Sequence, residues 1–108
     1  MREPIPPGTL DMLILRVLDR RAELHGFEIA ETIQRISADV LQVEEGSLYP
    51  ALQRLLMQGW ASAEWGRTKE NRRARYYRLT SAGRKHLARQ VESYRRVSHA
   101  IDMILQPI

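Results

Sequence analysis

Apolar residues in the first half of the chain recur at every third or fourth position, which is the spacing of an amphipathic α-helix. One such segment follows Thr9, which can cap a helix, and carries Leu10, Leu13, Ile14, Val17 and Leu18. Another opens at His25-Gly26 and ends near Ser37, with the apolar set Phe27, Ile29, Ala30, Ile33 and Ile36. A third stops at Gly59 and carries Leu48, Leu52, Leu55 and Leu56. The pattern predicts three short helices. Because proline is tolerated in the first turn of a helix, Pro50 predicts that the third begins at about Glu45 to Leu48.

Beyond Gly59 the period changes from helical to alternating. Residues alternate in character over Trp60–Trp65 and again over Tyr76–Thr80, which predicts two strands. The polar, basic stretch Gly66–Ala74 joins them as the tip of a hairpin. A helical period then returns from Ser81 to about Gln106. The predicted fold class is mainly α with a small β-hairpin (α+β), a winged helix-turn-helix over residues 1–80 followed by a C-terminal dimerisation helix over 81–108.

Length and composition exclude several classes of protein. A chain of 108 residues forms one small domain, which leaves apolar surface uncovered unless a partner covers it. It has no cysteine, and its longest apolar run, Met12–Leu15, is far too short to cross a membrane, so we expect a cytoplasmic protein. The three histidines, His25, His86 and His99, lie far apart with no spaced partner ligand. We therefore expect no enzyme, no metal site and no cofactor.

Charge is concentrated in the second half of the chain. Residues 1–66 carry six basic and ten acidic side chains, whereas residues 67–108 carry eleven basic and three acidic ones. Such a block attracts polyanions. The predicted contacts with phosphate are the cations of the hairpin, namely Arg67, Lys69, Arg72, Arg73 and Arg75. Taken alone, the run could equally be a solvated surface loop.

The third helix offers polar side chains of moderate size on its outer face, which is what recognition of base edges requires. The candidate DNA-binding residues there are Ser47, Tyr49, Pro50, Gln53 and Arg54. Arg54 can reach guanine or phosphate, and Gln53 can pair with adenine. Ser47 and Tyr49 suit phosphate oxygens near the helix N-terminus. In the alternative interpretation Ser47 is only a helix cap and Tyr49 a half-buried packing group.

The last helix, at about 1.5 Å per residue, is longer than so small a core can cover. Its apolar residues form one seam, which we predict as the interface of a homodimer: Leu87, Val91, Tyr94, Ile101, Leu105 and Ile108. Twofold symmetry would match a pseudo-palindromic site. The alternative is a helix folded back on its own domain.

Four blocks of sequence resemble the PadR-like family of transcriptional regulators, and the likeness runs over essentially the whole chain. The blocks are Thr9–Asp11, Leu24–Phe27, Glu45–Leu52 and Arg75–Gly83. The resemblance implies a homodimeric winged-helix regulator, usually a repressor, whose C-terminal helix builds the dimer. It places Ser47, Tyr49 and Pro50 in the recognition helix and the basic segment in the wing. The single C-terminal helix is similar to that of the compact subgroup, and Phe27 stands where relatives often have tyrosine.

Together these features predict a sequence-specific DNA-binding transcriptional regulator, a repressor that binds a pseudo-palindromic operator on double-stranded DNA as a homodimer. The alternative is a winged-helix protein-interaction module whose basic wing meets an acidic partner. Some relatives respond to small aromatic compounds, which makes such an effector a candidate partner, although the last helix offers Tyr94 and no tryptophan for it.

Overall fold

The computed structural model describes residues 2–107 and confirms that the chain is mainly α with a small β-hairpin and has the winged-helix arrangement. The described residues form four helices and five strands, and the strands form two small sheets. The elements are β1 (Glu3–Pro4), α1 (Leu10–Arg20), β2 (Leu24–His25), α2 (Gly26–Ile36), β3 (Leu41–Gln42), α3 (Glu45–Met57), β4 (Ala61–Arg67), β5 (Arg73–Leu79) and α4 (Ser81–Leu105). The three helices, the hairpin and the long last helix therefore stand in the predicted order.

The core lies where α1, α2 and α3 meet the base of the hairpin and the first turns of α4. The largest side chains that are fully buried are Ile14, Leu15, Leu24, Ile29, Leu52, Leu55 and Leu87. Ala61 and Tyr77 cover this core from the sheet side. Burial of such apolar area is the main force that holds three short helices together.

The start of α2 is tied to the sheet. His25 caps the helix: its Nδ1 accepts a hydrogen bond from the Glu28 amide at 3.4 Å, and the Glu28 carboxylate accepts one from the His25 amide at 3.1 Å. This reciprocal pair satisfies two amides that would otherwise lack a partner. Leu24 and His25 also pair antiparallel with Tyr77 and Tyr76, so β2 adds an edge to the hairpin in the order β2-β5-β4. The sequence did not predict this strand.

Helix α3 begins at Glu45, the early limit of the predicted range. Pro50 is therefore the sixth helical residue, so the expectation that it lies in the first turn is wrong. A proline there cannot donate to the carbonyl of Gly46. Because Gly46 is exposed, water can satisfy that carbonyl instead.

The hairpin is longer than predicted. Strand β4 reaches Arg67 and β5 starts at Arg73, so the predicted tip Gly66–Ala74 shrinks to the five residues 68–72. Asn71 there takes a positive φ of 61°, and the Thr68 amide donates to the Arg72 carbonyl at 2.8 Å. The ends of the strands extend beyond the core, where both faces meet solvent, so no apolar alternation marked them in the sequence.

The start of α4 is locked against the hairpin. The Thr80 hydroxyl accepts a hydrogen bond from the Gly83 amide at 3.0 Å and donates one to the Gly59 carbonyl at 2.6 Å. Gly83 lies so close to the Trp60 carbonyl oxygen that a Cβ at this position would overlap it. The Trp60 indole stacks on the His86 imidazole with ring centroids 3.5 Å apart. Burial, together with the nearby Arg89, lowers the pKa of His86, so its ring is neutral at pH 7.

Candidate nucleic-acid interface

The outer face of α3 is exposed along its length. Ser47, Pro50 and Gln53 are exposed, whereas Leu48, Ala51, Leu52 and Leu55 turn into the core. The residue that caps α3 is Glu44, which makes Ser47 the third helical residue. The interpretation of Ser47 as a cap is therefore wrong, and its hydroxyl forms no hydrogen bond within residues 2–107. The predicted polar face exists and is accessible.

The Tyr49 side chain is partly packed against the protein and partly exposed to solvent. Its side chain is 48% exposed, yet its ring lies against the backbone of Gly26, where a Cβ would come within 3.0 Å of the phenol oxygen. A side chain at position 26 would therefore push the ring outward. The glycine allows Tyr49 to bridge α3 and the start of α2 while its outer edge stays open to solvent. Both predicted roles, packing and contact, are compatible with this position.

Arg54 is the predicted contact residue whose surroundings differ most from expectation. Its Nε and Nη2 atoms donate to the two carboxylate oxygens of Asp11 in α1, at 3.2 Å and 2.8 Å. These hydrogen bonds raise the pKa of Arg54 above its ordinary value. A guanidinium has five N–H donors, so about three remain for another acceptor. Arg54 is thus held in place by α1, a contact with Asp11 that the sequence did not predict.

The wing, defined here as residues 65–75, carries cations without carboxylate partners. No ion pair within residues 2–107 involves Arg67, Lys69, Arg72, Arg73 or Arg75, although several other arginines of the chain do form such pairs. Arg67 donates only to the carbonyl of Asn71, at 3.1 Å. Positive charge that forms no ion pair is available to an external anion, and Glu70, the carboxylate within the wing, pairs with none of these cations among residues 2–107.

Trp65 belongs to the wing and was not among the predicted site residues. It is 60% exposed, and the Arg73 guanidinium carbon lies 4.3 Å from the centroid of its ring. The sequence predicts that Trp65 lies on a strand but not which residues of the next strand lie opposite it. The pairing of β4 with β5 sets Trp65 opposite Arg75, two positions from Arg73, and knowledge of this register would have indicated both contacts.

The predicted dimer face of α4 divides in two. Leu87 is only 2% exposed and lies in the core of its own chain, so its assignment to an interface is wrong. Val91 also packs partly against that core. The first turns of α4 pack against α1. Apolar side chains there are buried by their own chain and need no second copy to cover them.

The second half of α4 projects away from the core. After Leu87 no described residue of the helix is buried, and the molecule is 57 Å long against 32 Å and 22 Å in the other directions. Several large apolar side chains are exposed there, namely Tyr94, Val97, Ile101, Met103, Ile104 and Leu105. Val97, Met103 and Ile104 were not part of the predicted seam. Ile108 lies outside the described residues.

The sequence pattern that defines the Transcriptional regulator PadR-like family matches residues 14–89. The chain belongs to this family. Among solved structures, a transcriptional regulator from Clostridium thermocellum is 26% identical, with a TM-score of 0.83 over 92% of this chain and 95% of that one. A PadR family transcriptional regulator from Eggerthella lenta is also 26% identical, with a TM-score of 0.78 over 94% of this chain and 85% of that one. A protein of Lysinibacillus sphaericus called "Uncharacterized protein X" is 30% identical over 98% of this chain and 96% of its own.

Membership of the PadR-like family settles the broad class of the protein. It is a transcriptional regulator and not an enzyme, as predicted, and regulators of this family bind DNA. No described residues form a cluster of three or more side chains able to hold a metal ion. Within residues 2–107, no helix has the length and apolar character needed to cross a membrane.

Proposed function

We propose that this PadR-like chain is a sequence-specific repressor that binds a pseudo-palindromic operator as a homodimer. The observation that carries the proposal is the combination of an exposed polar face on α3 with five wing cations that have no carboxylate partner among the described residues 2–107. A helix with such a face fits the major groove, and a basic hairpin beside it fits the phosphate backbone. Residues 1–80 would then form the DNA-binding unit and residues 81–108 the dimerisation helix.

In this proposal the α3 residues divide the work. Gln53, exposed in the middle of the outer face, is assigned to a base edge, since its amide can pair with adenine. Ser47, the third helical residue, lies near the start of the helix, where phosphate oxygens are favoured, and the Tyr49 hydroxyl is assigned to the same kind of contact. Pro50 has no N–H and can offer only apolar contact. Arg54 is assigned to guanine or phosphate through the donors that Asp11 leaves free. Base choice therefore depends on few side chains.

The dimer is proposed from the exposed end of α4. Tyr94, Ile101 and Leu105 are 48%, 50% and 73% exposed, and Val91 borders them on the same stripe. A stripe of this length is unfavourable in water and is covered if the same helix of a second copy packs on it. Val97 and Ile104 widen the stripe, and Ile108 continues its spacing.

Duplex binding measured across a range of salt concentrations tests the proposal. If two or three wing cations of each subunit contact phosphates, a dimer contacts about four to six, which gives a log–log slope of roughly −4 to −5. Replacing both Arg72 and Arg73 by alanine should weaken binding to all duplexes alike and flatten this slope. Gln53→Ala should instead change the preference among sequences. An equal loss on every duplex for Gln53→Ala would contradict base reading by α3.

The same titration separates the second candidate function, a protein-interaction module whose wing meets an acidic partner. The unpaired cations suit that role as well, but such a module would bind duplexes with no dependence on their sequence.

A small aromatic effector is a further expectation, and Tyr94 is the side chain on the proposed dimer face that could stack with it. A ligand screen that leaves operator affinity unchanged would remove the effector from the proposal.

A further inference from the structure

Trp65 is a large aromatic side chain in a position that the core does not explain. It lies on β4 near the hairpin tip and is 60% exposed, whereas the other tryptophan, Trp60, is stacked against His86 at the base of the hairpin. An exposed indole on a strand end adds no core burial. Contacts with neighbouring side chains, and not burial in the core, therefore have to explain the position of Trp65.

Those neighbours are two arginines of the opposite strand. In the register of the hairpin Trp65 pairs with Arg75, and Arg73 lies on the same face because side chains two apart on a strand point the same way. The guanidinium carbons of Arg73 and Arg75 lie 4.3 Å and 5.9 Å from the ring centroid. Both distances are within the range of a cation–π contact. One indole thus stacks with two of the five wing cations.

The stack holds the arginines without neutralising them. Neither has a carboxylate partner within residues 2–107, and the buried Nε of Arg75 has no hydrogen-bond partner there. A free arginine side chain loses much rotational freedom when a ligand fixes it, and a stacked one has already lost part of it. Lys69 and Arg72, in the five-residue turn, have no such support.

We propose that Trp65 is a positioning residue for DNA binding: it stacks with Arg73 and Arg75 and holds them ready to contact phosphates of one backbone segment. This inference rests on the proposed function. It divides the wing cations into Arg73 and Arg75, which contact the indole, and Lys69 and Arg72 of the turn, for which the described residues show no such contact. Since phosphate contacts carry no sequence information, Trp65 contributes equally to all duplexes.

A fluorescein-labelled random-sequence duplex of 30 base pairs is sufficient as a probe, and anisotropy gives the affinity. Trp65→Leu removes the π-face but keeps every charge, and should weaken binding roughly three- to tenfold. Trp65→Phe keeps an aromatic face and should recover most of that loss. Recovery by phenylalanine but not by leucine distinguishes stacking from mere filling of space. Equal affinities for wild type and Trp65→Leu would overturn the proposal.

The partner of the stack is identified by combining substitutions. In an Arg73→Ala background, Trp65→Leu should cost clearly less than in the wild type, because the nearer of the two cations that Trp65 holds is already gone. In a Lys69→Ala background, which removes one unstacked cation, Trp65→Leu should cost its full amount. Additive losses in both backgrounds would contradict the assignment of Arg73 as the residue that Trp65 positions.

A measurement on the wild-type protein keeps the proposal testable if the leucine variant unfolds. The emission of Trp65 is the difference between the spectra of wild type and Trp65→Phe, and it should shift or be quenched when the duplex is added, since bound phosphates change the surroundings of the stack. An unchanged difference spectrum at saturating duplex would overturn the proposal. If wild type binds no duplex even at low salt, the proposed function fails, and that outcome is distinct from a wild type that binds and is indifferent to Trp65.

Discussion

Two glycines at the starts of helices have opposite surroundings. At Gly83 a Cβ would overlap the Trp60 carbonyl oxygen, a rigid backbone atom, whereas at Gly46 a Cβ would meet nothing within 4 Å. Gly83→Ala should therefore lower the free energy of unfolding by about 1–3 kcal/mol, because α4 must move away from the hairpin. Gly46→Ala should leave it unchanged or raise it by up to about 0.5–1 kcal/mol, since alanine favours a helix. Urea denaturation of both variants checks this, and equal effects would contradict the close approach.

A second prediction concerns the ion pair between Asp11 and Arg54. Asp11→Asn removes the carboxylate that binds Nε and Nη2 of Arg54, and should lower the free energy of unfolding only slightly, because the pair is exposed to solvent. It should also raise affinity for a random duplex, because Arg54 is released beside the outer face of α3. Anisotropy titration measures this.

Asp19→Asn is the matched control for that substitution. Asp19 pairs with Arg16 and Arg84, and eight residues of α1, about 12 Å, separate it from Asp11. Both variants add one unit to the net charge, so a general electrostatic gain would be the same in each. If Asp19→Asn raises duplex affinity as much as Asp11→Asn, release of Arg54 is not the cause.

Residue contacts of this kind could not be predicted from the sequence. Asp11 and Arg54 are 43 positions apart, and their pairing depends on how α1 crosses α3. Likewise, Leu87 has the same spacing as the other apolar residues of the α4 seam. Only the position of α1 shows that the Leu87 side chain is buried within its own chain. Side-chain type and period select candidates, but packing between elements determines which of them are free.

At the scale of elements, periodicity predicted the four helices and the hairpin, because each carries apolar residues at the regular spacing of its element. It missed β1, β2 and β3, which have two residues each and too little sequence to show a period. The predicted hairpin was also too short. The strand ends around Arg67 and Arg73 lie beyond the core, so their sequence shows no alternation of apolar and polar residues. Elements that the core does not contact leave little signal in a single sequence.

Helix α4 allows a prediction about its exposed half. Ile101 and Met103 are 50% and 63% exposed and only two positions apart, so they lie on different faces of the helix. Ile101→Lys should convert a dimer to a monomer, because it places a charge in the proposed seam, whereas Met103→Lys should leave the dimer intact. Sedimentation equilibrium measures the mass. A monomeric wild type, or equal effects of both substitutions, would contradict the proposed interface.

At the scale of the whole molecule, the two proposed surfaces lie at different places. The outer face of α3 and the wing belong to the compact part, and the exposed apolar stripe lies on the projecting half of α4. A second copy joined through α4 would leave both α3 faces exposed. Two reading heads related by a twofold axis require a site with the same symmetry, and their separation fixes the distance between half-sites.

Selection of bound duplexes from a random pool tests this arrangement most directly. We expect an enriched palindrome whose half-sites are centred about one helical turn apart, or a multiple of that, since each reading head would enter a major groove on the same side of the duplex. The selected duplex should bind one dimer. A pool that shows no enrichment at low ionic strength, or a consensus with a single unrepeated site, would contradict it.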